Sequence, residues 1–184
     1  KQREKKILFI AEGVDQLDTH QSYVSKNYTL QGRGGSGWRT AIVLEEILDA
    51  ISINSNLIAD VIVRRHPKMS PVSLNVYSSE VTFDSGPAYD SIYNADAVVG
   101  MTSILLVEAA IIGRPVLSVL PNPDEKEWLA PIKADVIKSV TSRSELPGAL
   151  MGLFDGKCQV DYRNFIIKNS TLNMANYILS KFKK

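Results

Sequence analysis

The chain has 184 residues, 45% hydrophobic and 22% charged, with a formal net charge of +1. Those values fit one globular domain with a large core and give no basis for a nucleic-acid or membrane-surface partner. One cysteine, Cys158, excludes an internal disulfide and a cysteine-based zinc site, and fits a reducing, cytoplasmic setting.

The charged start KQREKK leads straight into a strand-like run rather than a signal-peptide core, and this abrupt beginning suggests a piece of a longer protein. KKILFIAE, Lys5 to Glu12, reads as a first buried strand. Residues 13–36 are polar and irregular, a length usually reserved for functional or disordered loops. Trp38 to Ile53 reads as an amphipathic helix, with Ile42, Val43, Ile47, Leu48 and Ile51 at helical spacing. Leu57 to Pro67 is a second strand and Glu80 to Ser85 a short third one. GPAYDSIYNA forms a short helix, and Asp96 to Met101 a fourth strand. TSILLVEAAIIG is a helix capped by Thr102 or Ser103 and stopped by Gly113. RPVLSVLP is a fifth strand. Residues Asn122 to Asp135 form a loop or an irregular helix, and the acidic PNPDEKEW within that region reads as surface. Val136 to Thr141 is a sixth strand, Ser142 to Phe154 a helix, and Tyr162 to Lys183 one or two terminal helices.

Strands alternating with helices predict an α/β domain: a Rossmann-like three-layer α/β/α arrangement on a mostly parallel sheet of about six strands. In such sheets ligands lie beyond the carboxyl ends of the strands, at helix N-termini. Two stretches stand there. The first is GMTSILLVE, where Gly100 would let a ligand approach the backbone and Thr102 and Ser103 would add hydroxyls to the free amides of a helix end. Glu108 follows one to two turns later, placed to accept hydrogen bonds from two sugar hydroxyls, or else simply to face solvent. The second is VIVRRHPK, where Arg64, Arg65 and His66 would meet a phosphate or merely form a solvated strand end. LQGRGGSGW, Leu30 to Trp38, is glycine-rich but matches neither Walker A nor G-x-G-x-x-G, which favours a flexible loop over a phosphate cradle. Glu12, Asp15 and His20 could face a cleft, but their spacing fixes no role. Cys158 has no nearby basic pair and reads as inert.

VVGMTSILLVEAAIIGRPVLSV resembles the donor-binding segment in the C-terminal half of two-domain GT-B glycosyltransferases and of the related UDP-N-acetylglucosamine 2-epimerases. VRRHPK resembles the His-Pro motif of sialyltransferase-like and CDP-glycerol-transferase-like members. The resemblance covers roughly Leu57 to Pro121. It implies that residues 1–184 are one Rossmann-like domain, the C-terminal half of a protein whose N-terminal domain is absent from this chain. It implies a UDP-, CMP- or CDP-linked sugar as ligand. His66, with Arg65 beside it, and Gly100, Thr102 and Ser103 would lie against its phosphates, and Glu108 would take the ribose hydroxyls. No metal and no other cofactor is implied. Ser103-Ile104-Leu105 stands where the epimerases have Gly-Gly and paired glutamates, so an epimerase fits less well. A non-catalytic α/β ligand-binding domain is the other alternative. The catalytic residues, the acceptor and the base of the nucleotide are not legible.

Overall fold

The computed structural model describes residues 4–13, 27–70 and 74–156. Strands β1 (Lys5–Ile10), β2 (Ala59–Arg64), β3 (Thr82–Asp84), β4 (Ala97–Gly100), β5 (Val116–Val119) and β6 (Ser139–Val140) form a single sheet in the order β3-β2-β1-β4-β5-β6. All five pairings are parallel, in registers such as Ile7 beside Val61 and Ala97. The expected Rossmann-like α/β sheet of six strands is therefore present. Two strands are shorter than the apolar runs suggested. β3 and β6 lie at the sheet edges, where only one neighbour fixes the backbone.

The helices are α1 (Arg39–Ser52), α2 (Ala88–Asn94), α3 (Ile104–Ile111), α4 (Ala130–Lys133) and α5 (Leu146–Gly152), with short 3-10 turns at Asn75–Tyr77 and Pro123–Trp128. The chain moves one way along the sheet from β1 to β2 and the other way from β4 to β5. Right-handed crossovers therefore place α1 and α3 on opposite faces. α5 packs beside α1, and α3 lies on β4 and β5.

The centre of the sheet is dry because both faces are covered. Ile7, Leu8, Phe9 and Ile10 of β1 are all buried, as are all four residues of β4 and of β5. β2, one strand from the edge, alternates instead, with Val61 and Val63 buried and Ile62 only half-buried. α1 is buried along almost its whole length, including Glu45 and Glu46. Two charged residues inside such a helix require partners, and the glycine-rich segment before it provides them.

The terminal helices expected at Tyr162 to Lys183 lie outside the described residues, as do Asp15, His20 and Cys158. Among the described residues no helix is long and apolar enough to cross a membrane.

Candidate functional site at the carboxyl edge of the sheet

The strand order reverses between β1 and β4, so the crevice expected of a doubly wound sheet opens beyond the ends of those two strands. β1 runs out into Glu12 and Gly13, and β4 into Thr102 and Ser103. Arg39 opens α1 from the same edge and is only 1% exposed. Its Nη1 donates to Glu12 Oε2 at 2.9 Å, and its Nε donates to both oxygens of Glu125 at 3.0 Å. The Thr40 hydroxyl donates to the Glu12 carbonyl at 2.8 Å. Glu125 sits in the Pro123–Trp128 turn and is 1% exposed, so the acidic stretch read as surface turns inward at this residue. The reason is Arg39: a guanidinium this deep is stable only with its donors on carboxylates. The Trp128 ring closes the cluster, 5.4 Å from the Arg39 guanidinium carbon.

Glu12 also reaches the helix on the far side of the crevice. Its Oε1 accepts the Thr102 N–H at 2.5 Å and its Oε2 accepts the Thr102 hydroxyl at 2.9 Å. The positive end of α3 is thus met by a carboxylate of the chain itself. Ser103 is the cap, its hydroxyl accepting the Leu105 N–H at 3.3 Å. The backbone N–H groups of Ser103 and Ile104 make no hydrogen bond among the described residues.

Two carboxylates share one guanidinium here, and burial opposes every charge. Burial alone would lower the Arg39 pKa, but its bonds to Glu125 and Glu12 outweigh that and hold it above the usual arginine range. Glu125 moves upward, because desolvation outweighs the pull of Arg39 and the nearby Glu12 charge adds to it.

The basic run that closes β2 splits into three roles. Arg64 belongs to the frame: its Nη1 donates to Asp84 Oδ2 at 2.6 Å, to the Gly86 carbonyl at 2.7 Å and to the Ser91 hydroxyl at 3.1 Å. Arg65 lies 3.6 Å over the Phe83 ring and donates to Asn75 Oδ1 at 2.6 Å, while its buried Nε has no partner among the described residues. His66 accepts the Lys68 N–H at Nδ1, 3.1 Å away, so the neutral ring carries its proton on Nε2 as a donor. His66 leans on the end of β1. A Cβ at Gly13 would come within 3.0 Å of its Nδ1 and 3.2 Å of Met69 Cγ. Gly13 is thus a position that spacing did not single out, and it lets His66 approach β1.

His66, Thr102 and Ser103 therefore lie on one edge of the sheet, at the ends of β2 and β4 with β1 between. At about 4.8 Å per strand the two strand ends are roughly 10 Å apart. Gly100 points elsewhere. A Cβ there would meet Ile10 and Leu106 at 3.4–3.5 Å, so its surroundings are protein core. Glu108 is half-buried, four residues after the exposed Ile104, and the exposed Ile111 and Ile112 follow at three and four residues. The sheet-facing positions of α3 are Leu106, Ala109 and Ala110. The glutamate therefore stands on the outer side of its helix, and no side-chain bond from it occurs among the described residues.

The glycine-rich loop is not loose. The Gln31 and Gly32 amides donate to Glu46 Oε1 at 3.1 and 2.8 Å, and the Arg33 amide donates to Glu45 Oε2 at 2.7 Å. Arg143 clamps it from outside, bonding Glu46 Oε2 at 2.7 Å and the Gly32 carbonyl at 2.6 Å. The Tyr77 hydroxyl donates to Glu45 Oε1 at 2.6 Å. The amides that resembled a phosphate cradle thus hold two carboxylates from α1. A cavity of about 500 Å³ opens between this loop, the start of α1 and the Asn75–Tyr77 turn.

Among the described residues no group of histidine, cysteine, aspartate and glutamate could hold a metal ion. No protein-family model matches the chain, and no characterised protein sequence matches it. Among solved structures the chain is similar to one titled Spinosyn Forosaminyltransferase SpnP, at 15% identity and a TM-score of 0.48. That similarity covers 87% of this chain and 37% of the other, so the chain spans little more than a third of that protein's length.

Proposed function

We propose that the chain is the nucleotide-sugar-binding half of a glycosyltransferase-like protein of the GT-B type. The observation carrying this reading is the topological switch point between β1 and β4, with the end of α3 on one side and His66 leaning over Gly13 on the other. In this reading the His66 Nε2–H and the Ser103 and Ile104 amides donate to the diphosphate, and Arg65 adds positive charge beside it. Thr102 contributes through its position, since Glu12 takes both its donors. Glu108, on the outer side of α3, accepts hydrogen bonds from the ribose. The nucleotide linked to the sugar is UDP, CDP or CMP, the last offering one phosphate to the same donors, and the acceptor-binding half is a separate N-terminal domain. An epimerase would use the same crevice.

Calorimetry with UDP, CDP and CMP tests this. One of them binds, and Glu108→Ala and His66→Ala each weaken it about tenfold or more, the expected cost of a lost hydrogen bond to a charged or sugar group. No binding to any of the three, or unchanged affinity in both variants, rejects the reading. A second reading, a non-catalytic α/β ligand-binding domain, is favoured by one observation: Glu12 already satisfies Thr102 where a ligand anion would sit.

A further inference from the structure

The cavity of about 500 Å³ beside the glycine-rich loop is separate from the crevice between β1 and β4, and its walls carry a different chemistry. Part of the lining is apolar and open to solvent: Trp38 is 39% exposed and Val76 78% exposed. Trp38 stands at the N-cap of α1, a position that favours serine, threonine, aspartate or asparagine, and makes no capping bond there. Nothing in the helix asks for a tryptophan at that place. The rest of the lining is polar and held in place. Glu45 is fixed by the Arg33 amide and the Tyr77 hydroxyl, which occupy two of the roughly four lone-pair positions of a carboxylate. Arg33 is fixed by a two-pronged pair with Glu80, at 2.9 and 2.8 Å, and by Asp49 at 2.8 Å. Gly35, Ser36 and Gly37 complete the lining, and a Cβ at Gly35 would meet nothing within 4 Å.

Both signs of charge line this cavity, so a strongly charged ligand of either sign meets a like charge. A fully apolar ligand would leave Glu45 and Arg33 desolvated. What fits is an uncharged molecule with one apolar face and a hydroxyl-bearing edge. A pyranose ring has that shape: its C–H face lies on an aromatic ring while its hydroxyls bond carboxylate and backbone groups. We propose that this cavity is a saccharide site, with Trp38 and Val76 under the sugar and Glu45, Glu80 and the Gly35–Gly37 backbone around its hydroxyls. The inference does not rest on the diphosphate reading of the crevice, although Arg39, next to Trp38 in sequence, joins the two places through Glu12.

Ligand-observed saturation-transfer NMR on the full chain tests it, with methyl glycosides of glucose, galactose and N-acetylglucosamine as probes and inorganic phosphate and methylammonium as charged competitors. At least one glycoside binds saturably. Trp38→Ala and Val76→Asp, both at exposed positions, each weaken it at least about tenfold with an unchanged circular dichroism spectrum. The inference is overturned if no glycoside saturates, if both variants keep the native affinity, or if phosphate or methylammonium displaces the sugar. Titration with UDP and CDP separates the two sites. Saccharide binding without nucleotide binding keeps this inference and rejects the diphosphate, and the reverse result rejects only this one.

Discussion

Gly32 is the residue on which the glycine-rich segment turns, and three substitutions resolve why. Its φ is +60°, and a Cβ there would sit 2.2 Å from Glu45 Oε2 and 3.2 Å from Ile42 Cα. A non-glycine residue in the left-handed region costs about 1–2 kcal/mol. A carboxylate oxygen at the tip of a side chain would normally swing away cheaply. Here it is buried and holds the Arg33 amide and the Tyr77 hydroxyl, so moving it adds about 1–3 kcal/mol for groups left unpaired. Gly32→Ala should therefore destabilise by about 2–5 kcal/mol, or roughly 5–20 °C in Tm for a chain of this size. Gly34→Ala shares the positive φ, at +78°, but its Cβ meets nothing, so it should lose only the backbone part, about 1–2 kcal/mol. Gly35→Ala has neither problem and should be neutral or gain up to about 1 kcal/mol by restricting the unfolded chain. Urea unfolding of the three variants separates the contributions. If Gly32→Ala is no worse than Gly34→Ala, then Glu45 moves freely and the loop is not pinned as described.

Arg39→Met leaves Glu12 and Glu125 facing each other in the interior and should cost about 3–5 kcal/mol at neutral pH. Burial already raises the Glu125 pKa and Arg39 is the group that pulls it down, so without the guanidinium its folded-state pKa stays above the unfolded one. The Glu125 contribution is then full below its unfolded value of about 4.5 and lost as pH rises, so the deficit against the native chain narrows on acidification. A deficit that stays constant in chemical unfolding between pH 7 and pH 5 would contradict this. Asp84 behaves in the opposite sense. Burial would raise its pKa, but the Ser91 hydroxyl, the Gly86 amide and Arg64 outweigh it and hold the carboxyl below its ordinary value. Its contribution is therefore present above the unfolded value and lost as pH falls through the folded one. Asp84→Asn should cost about 1–3 kcal/mol at pH 7 and progressively less below about pH 4, read from Tm against pH. Arg33 likewise lowers the Glu80 pKa by hydrogen bonding, but on the surface, so Glu80→Gln should change stability by less than about 1 kcal/mol.

The fold was legible because hydrophobic period is a local property. The continuous apolar runs of β1, β4 and β5 and the helical spacing of α1 each report how a segment is buried, and alternation of the two leaves few topologies open. The same pattern places Thr102, Ser103 and His66 at the carboxyl edge, since each follows the end of a strand. The edge strands were overestimated because an apolar run does not reveal how many neighbours it will have. Partnership between distant charges was not legible at all. Glu12 and Thr102 are 90 residues apart, Arg39 and Glu125 86 apart, and Arg143 lies 97 residues from Glu46. Nothing in PNPDEKEW marks Glu125 as buried, and nothing in LEEI marks Glu45 and Glu46 as anchors for a loop that precedes them. A charge inside a protein is stable only where its counter-charge and donors converge, and that convergence exists only once the sheet has brought the strand ends together.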